Sequence, residues 1–234
     1  MFLRILFILP FLFILLPATA STDNPTNSVD YDTLPIRVGR SAGEKITVTE
    51  YFSYSCAHCN AFDKPLNDWR AKQSGIEFKR VHVDFGVESK PIQRLFYTLN
   101  ELGLLDQFHG KVFNYIHVKH LRLDSDNAVV EFASKNGIDR QIFAKTYASE
   151  KISDEIRKAV KLQKQFQVNQ VPALIIGYRF ITSPVYFSRP NSGLDFVLEF
   201  LHFSNDQDQK NSTAISSMLK VSEYLIKKTA IEKD

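Results

Sequence analysis

The spacing of hydrophobic positions changes period several times along the chain. From Lys45 to Tyr54 the run KITVTEYFSY is dense in β-branched and aromatic residues and nearly unbroken in apolar character around Glu50. That pattern predicts a central strand buried on both faces. Between Cys56 and about Gln73, Phe62, Leu66 and Trp69 recur at helical spacing, and Pro65 inside the stretch predicts a kinked helix. Past Gly75, the residues Ile76, Phe78, Val81, Val83 and Phe85 of IEFKRVHVDF predict a second strand. Strand, helix and strand within about forty residues make a βαβ unit, and hence a parallel pair with a right-handed crossover.

After Phe85 the spacing becomes helical and stays so. Ile92, Leu95, Phe96, Leu99 and Leu102 follow the i, i+3, i+4, i+7 rule, and similar stripes recur at Phe108, Val112, Phe113 and Ile116, then at Val129, Val130, Phe132 and Ala133. Asp126 and Asp139 are candidate N-caps and Gly137 a candidate stop. A further helix is expected from Ser153 toward Phe166, so the whole of 86–170 reads as helical. Val171 to Ile176 and Tyr178 to Thr182, separated by Gly177, predict an antiparallel hairpin. A helix over 194–203 is expected to close the domain. Beyond the polar linker SNDQDQKNS, an amphipathic tail helix places Ile215, Met218, Leu219, Leu225 and Ile226 on one face. Its basic residues are only Lys220, Lys227 and Lys228, which favours packing on its own domain over a membrane-surface or partner role. The class is therefore α/β.

The first twenty residues, MFLRILFILPFLFILLPATA, have one positive charge at Arg4, a long apolar run and the small-x-small ending Ala18-Thr19-Ala20. They are read as a secretory signal peptide cleaved after Ala20. The other reading, an uncleaved membrane anchor, fits less well with Pro10, Pro17 and the short run. Ser21 to Asp30 is a polar leader, and Asn211-Ser212-Thr213 is taken as a chance match to a glycosylation pattern. Composition is that of a globular protein, with 44% hydrophobic and 24% charged residues. A formal charge of +3 from 29 basic and 26 acidic residues is too even for an electrostatic grip on nucleic acid. Export places the chain where disulfides form and persist.

Cys56 and Cys59 are the only cysteines, which excludes a disulfide-stapled scaffold and an all-cysteine zinc site in one chain. Cys56 ends a predicted strand and opens a predicted helix, so its sulfur faces unpaired backbone N–H groups and the positive end of the helix dipole. A thiolate is stabilised there, and the thiolate is the attacking species. Cys59, one turn deeper, is expected to be more buried. Hence Cys56 would form the mixed disulfide with substrate and Cys59 would resolve it. His58 flanks the sulfur and can direct a hydrogen bond or a positive charge toward it, whereas the plainer reading is an exposed loop histidine. A zinc site would need two histidines from His58, His82, His109, His117, His120 and His202, and no pair forms a convincing second half-site. Val171-Pro172 opens a strand, an ordinary place for proline. The sharper reading is a cis peptide that leaves the Val171 backbone free to pair with an extended substrate.

EYFSYSCAHCNAF, the strand KRVHVDF and the loop QVPALIIG resemble the DsbA family of periplasmic thiol:disulfide oxidoreductases, over a stretch from about Asp30 to Phe203. The resemblance implies a thioredoxin-like fold with an inserted all-helical domain. Its two halves would be 21–85 and 171–203, with the insert over 86–170 and a linker and tail helix over 204–234. It implies Cys56 as nucleophile, Cys59 as resolving thiol, His58 as thiolate-stabilising, and Val171-Pro172 as the cis-proline loop. Glu50 and Arg80 correspond to a buried acid and base beneath the active site, and a carboxylate inside a buried strand does need such a partner. Arginine stands where lysine is familiar, so electrostatic tuning survives and a proton shuttle through that base does not. Ala57 stands where proline is often found.

The expected activity is donation of the Cys56–Cys59 disulfide to reduced, newly translocated proteins. No cofactor beyond that disulfide is expected. Reoxidation would come from an inner-membrane protein carrying a quinone, and the protein would act as a monomer in the periplasm. The alternatives are a periplasmic reductase or isomerase, and a non-catalytic copper or zinc carrier using Cys56, His58 and Cys59.

Overall fold

The computed structural model describes residues 24–36, 39, 41, 43–83, 90–187 and 207–232. The leader over 1–20 and the helix expected over 194–203 lie outside the described residues. The strand read from KITVTEYFSY is β2, Ile46–Phe52, and every residue of it is buried. The short strand β1, Asp32–Thr33, precedes it. After β2 come α1, Ala57–Arg70, which runs unbroken past Pro65, and β3, Ile76–His82. β3 lies parallel to β2, as the βαβ pattern requires, with Glu50 directly opposite Arg80. β4, Ala173–Ile176, and β5, Phe180–Thr182, form the expected hairpin. The sheet order is β1-β5-β4-β2-β3, with β4 antiparallel to β2.

Between β3 and β4 the described residues are mostly helical: α2, Lys90–Glu101; α3, Leu105–Phe113; α4, Asp126–Lys135; α5, Arg140–Tyr147; and α6, Glu150–Gln165, with 119–125 a loop rather than part of the expected continuous helical run. α3 runs into one π turn, Asn114–Val118. α4 is capped by Ser125 rather than Asp126. The Ser125 hydroxyl accepts the Ala128 N–H at 3.2 Å, while Asp126 accepts the Tyr147 hydroxyl at 2.5 Å and so ties α4 to α5. Asp139 caps α5 by accepting the Ile142 N–H at 2.8 Å, and Gly137 before it adopts φ +87°, which its missing side chain allows.

The pleat sorts alternate residues into two cores. On β4, Ala173 and Ile175 face the helical insertion, packing with Tyr51, Phe96, Leu99, Phe113 and Phe143. Leu174 and Ile176 face the opposite side, with Val48, Phe62, Leu66 and Trp69. That second side is closed by α7, Gln207–Ile231, through Ile215, Met218, Leu219, Val221 and Leu225. The segment read as a tail thus supplies one layer of the fold. Packing on its own domain is the role expected of its apolar stripe, and the structure bears that out. Trp69 Nε1 of α1 donates to Glu223 Oε1 at 3.0 Å and fixes α7 in register. At Gly177, φ +58°, an added Cβ would stand 2.6 Å from Thr229 Cγ2 of α7, so glycine permits both the turn and the close approach.

Candidate active site

β2 delivers the chain to α1 through Ser53-Tyr54-Ser55, and Cys56 is the N-cap of α1, with φ −87° and ψ 115°. Its Sγ accepts the Cys59 N–H at 3.3 Å, the position an Asp or Ser side chain takes at an ordinary helix start. Cys56 is half-buried and Cys59 fully buried, both as free thiols. The Cys56 thiol is lowered to about 6. The hydrogen bond from the Cys59 thiol contributes most, burial opposes it, and the backbone N–H groups of Cys59 and His58 and then the charge of His58 add to it. Burial, followed by the hydrogen bond to Cys56, pushes the Cys59 thiol far above the ordinary range. One sulfur is therefore a thiolate at neutral pH while the other holds its proton. His58 is exposed and acts on the sulfur less strongly than Cys59 does.

Val171-Pro172 is cis. The Val171 carbonyl oxygen lies 3.6 Å from Cys56 Sγ, and the Pro172 carbonyl accepts the Ser183 hydroxyl at 2.7 Å. Beside the dithiol a cavity of about 290 Å³ is lined by His58, Ala61, Val171, Pro172, Val185 and Ile215. Ile215 belongs to α7, so the second core and the groove share an element.

Beneath Cys59 lies a buried polar cluster. Glu50, fully buried, accepts Arg80 Nε at 2.7 Å on Oε2, while its Oε1 has no hydrogen-bond partner among the described residues. The same guanidinium donates to Asn67 Oδ1 at 2.8 Å and to Asp63 Oδ1 at 3.3 Å. Asp63 stands four residues after Cys59 on α1, hence on the same helix face. Burial alone would raise the Asp63 carboxyl, but His109, Arg80 and Asn67 outweigh it and hold it below its ordinary value. His109 of α3 stands with Nε2 3.2 Å from Asp63 Oδ1, in ion-pair range although off the line of a hydrogen bond, and its Nδ1 is 2.8 Å from the Tyr54 hydroxyl. His82, also fully buried, accepts the Tyr54 N–H at 3.0 Å, and burial followed by the nearby His109 lowers it to about 3.

The structure thus brings Cys56, Cys59, His58, Val171 and Pro172 to one site, with Glu50 and Arg80 behind them. Sequence reasoning missed Asp63, Asn67 and His109. The Cys59–Asp63–Asn67 spacing on one helix face was the available signal for the first two, whereas His109 was weighed only as a zinc ligand. Among the described residues, no group of three or more His, Cys, Asp or Glu side chains is placed to hold a metal ion. No helix among them is long and apolar enough to cross a membrane.

Residues 47–201 match the DSBA-like thioredoxin domain. The thiol:disulfide interchange protein DsbA of Burkholderia cepacia is 32% identical over 196 residues, covering 82% of this chain and 91% of that protein. The protein of the same name from Pseudomonas aeruginosa is 33% identical over 164 residues, covering 69% and 78%. Among solved structures, a variant of Pseudomonas aeruginosa DsbA aligns with a TM-score of 0.72 at 27% identity, covering 88% of this chain and 98% of that one. The oxidoreductase DsbA of Xylella fastidiosa, at 22% identity and a TM-score of 0.68, shares the fold. With the dithiol at a helix start facing a cis-proline loop, and a family match across most of the folded chain, the chain belongs to the DSBA-like thioredoxin domain family.

Proposed function

We propose that this chain is an exported thiol:disulfide oxidoreductase that introduces disulfides into newly translocated proteins. The observation that carries the reading is the asymmetry of the dithiol: Cys56 is half-exposed and holds its sulfur as a thiolate, while Cys59 is buried and protonated. The oxidised protein would give up its Cys56–Cys59 disulfide in two exchanges. A substrate thiolate attacks Cys56 and releases Cys59. A second substrate thiolate then attacks the mixed disulfide at the substrate sulfur and releases Cys56 as thiolate. The two electrons pass to the Cys56–Cys59 pair, and the substrate is left oxidised. A stabilised leaving thiolate makes the reduced form the favoured one, which is what a donor of disulfides needs.

Cys56 is assigned as nucleophile and leaving group, and Cys59 as resolving thiol. His58 supports the thiolate, and Val171-Pro172 forms the edge where an extended substrate backbone would lie. The cavity lined by Val185 and Ile215 supports the binding of apolar segments of unfolded proteins without close sequence preference. Glu50 and Arg80 set the field behind the dithiol. The redox-active disulfide serves as the sole redox group, and reoxidation is assigned to a quinone-linked inner-membrane protein. The protein acts as a periplasmic monomer after cleavage following Ala20. The test is equilibration with glutathione buffers together with oxidation of reduced ribonuclease. An oxidase becomes fully reduced in buffers that leave thioredoxin oxidised and restores ribonuclease activity. A potential as reducing as that of thioredoxin would make the chain a reductase instead.

A further inference from the structure

The buried cluster behind the dithiol has an uneven charge. Glu50 and Asp63 bring two carboxylates, and Arg80, which bonds to both, brings one guanidinium that keeps its proton at all accessible pH. One negative charge is left over in a site where uncompensated charge is costly. The groups around His109 suit either protonation state. On α1, Asp63 faces Nε2 at 3.2 Å. After β2, the buried Tyr54 hydroxyl faces Nδ1 at 2.8 Å, and it can donate to a neutral imidazole or accept from an imidazolium. On β3, Arg80 lies across Asp63, and His82 stays neutral through burial. The rings of Phe52 and Phe113 stand edge-on at 5.0 and 5.1 Å and add no charge. His109 is therefore a titratable group through which the cluster can become neutral.

Resting on the function proposed above, we infer that His109 is a positioning residue that takes up a proton when the active-site disulfide is reduced and releases it when the disulfide re-forms. The proton balance leaves room for such a group. Oxidising a substrate dithiol to its disulfide yields two electrons and two protons. The electrons go to the Cys56–Cys59 pair, one proton goes to the Cys59 sulfur, and Cys56 remains a thiolate. The second proton must go elsewhere, and the new negative charge on Cys56 draws it toward a group able to hold it. Asp63 couples the two places, because it shares a face of α1 with Cys59 and faces His109. The imidazolium in turn favours the thiolate.

The experiment follows the His109 imidazole by nuclear magnetic resonance during pH titration of the intact protein, oxidised and then reduced. The expected result is a proton affinity about three- to tenfold higher in the reduced protein. Alongside it, proton uptake on reduction is measured above the Cys56 titration, and it is expected to exceed one per dithiol across the His109 window. In His109→Gln the uptake falls to one at every pH in that window. Equal His109 affinity in the two redox states, no titration of His109 at all, or uptake of one proton in the unaltered protein would each overturn the inference. If His109→Gln does not fold, the two measurements on the unaltered protein still decide. A protein that fails to oxidise ribonuclease would defeat the proposed function, whereas one that oxidises it with a redox-blind His109 defeats only this inference.

Discussion

The sulfur of Cys56 lies 3.6 Å from the carbonyl oxygen of Val171, a residue 115 positions later in the chain. A thiol can donate to that oxygen but a thiolate cannot, so ionisation of Cys56 leaves the carbonyl available to a partner backbone. Thiolate absorbance of the reduced protein is expected to disappear on acidification with a midpoint at about 6. Because the folded value lies below that of an unfolded thiol, this group adds to the stability of the reduced form as pH rises from about 6 toward 9, and the gain is lost on acidification through 6. Thermal unfolding of reduced against oxidised protein at pH 5 and pH 8 measures it, and a reduced form that gains nothing over that interval contradicts the assignment.

The ranking of causes at Cys56 is itself testable. Cys59→Ala removes the thiol that contributes most to the thiolate, whereas His58→Ser removes a charge that contributes least. The Cys56 midpoint is expected to rise in both variants and further in Cys59→Ala. Absorbance titration gives both numbers, and the opposite order would return the leading role to His58.

Roles within the pair separate by trapping. Cys56→Ser is expected to lose all oxidase activity. Cys59→Ser is expected to accumulate mixed disulfides with reduced ribonuclease, visible by non-reducing electrophoresis. Equal behaviour of the two variants would defeat the division of roles.

Arg80 donates to Glu50, Asp63 and Asn67 from one side chain. Arg80→Met leaves the buried Glu50 carboxylate without its partner and Asp63 with only Asn67 and His109, and is expected to cost about 3–5 kcal/mol in denaturant unfolding. Arg80→Lys keeps the charge but loses the planar fork that reaches three acceptors, and should fall between that variant and the unaltered protein.

Gly177→Ala drives a methyl group against Thr229 and places a side chain at φ +58°. A loss of about 1–3 kcal/mol is expected. Thr229→Ser, which removes the colliding Cγ2, should restore part of it in the double variant. Without such recovery, α7 does not lie this close to the β4–β5 turn.

How far the sequence was legible depended on whether a signal was local. β2 showed itself because both its faces are buried, and α1 because Phe62, Leu66 and Trp69 share one side. The dithiol was plain from its place between a strand and a helix. Ser125 and Asp126 both suit an N-cap by residue type, and only the Tyr147 hydroxyl decides between them. Glu50 and Arg80 were paired through resemblance, yet Asp63 and His109 complete their cluster from elements 46 residues apart, a distance no local period spans. For α7 the stripe made packing on its own domain legible, but not the face it covers, which β2, β4 and α1 build from separate parts of the chain.

That last arrangement imposes an order on maturation. Until α7 has been made, Val48, Leu174 and Ile176 lack the part of their cover that Met218, Val221 and Leu225 supply, and Ile215 cannot wall the groove beside the dithiol. A nascent chain therefore holds its two cysteines long before the groove beside them is complete.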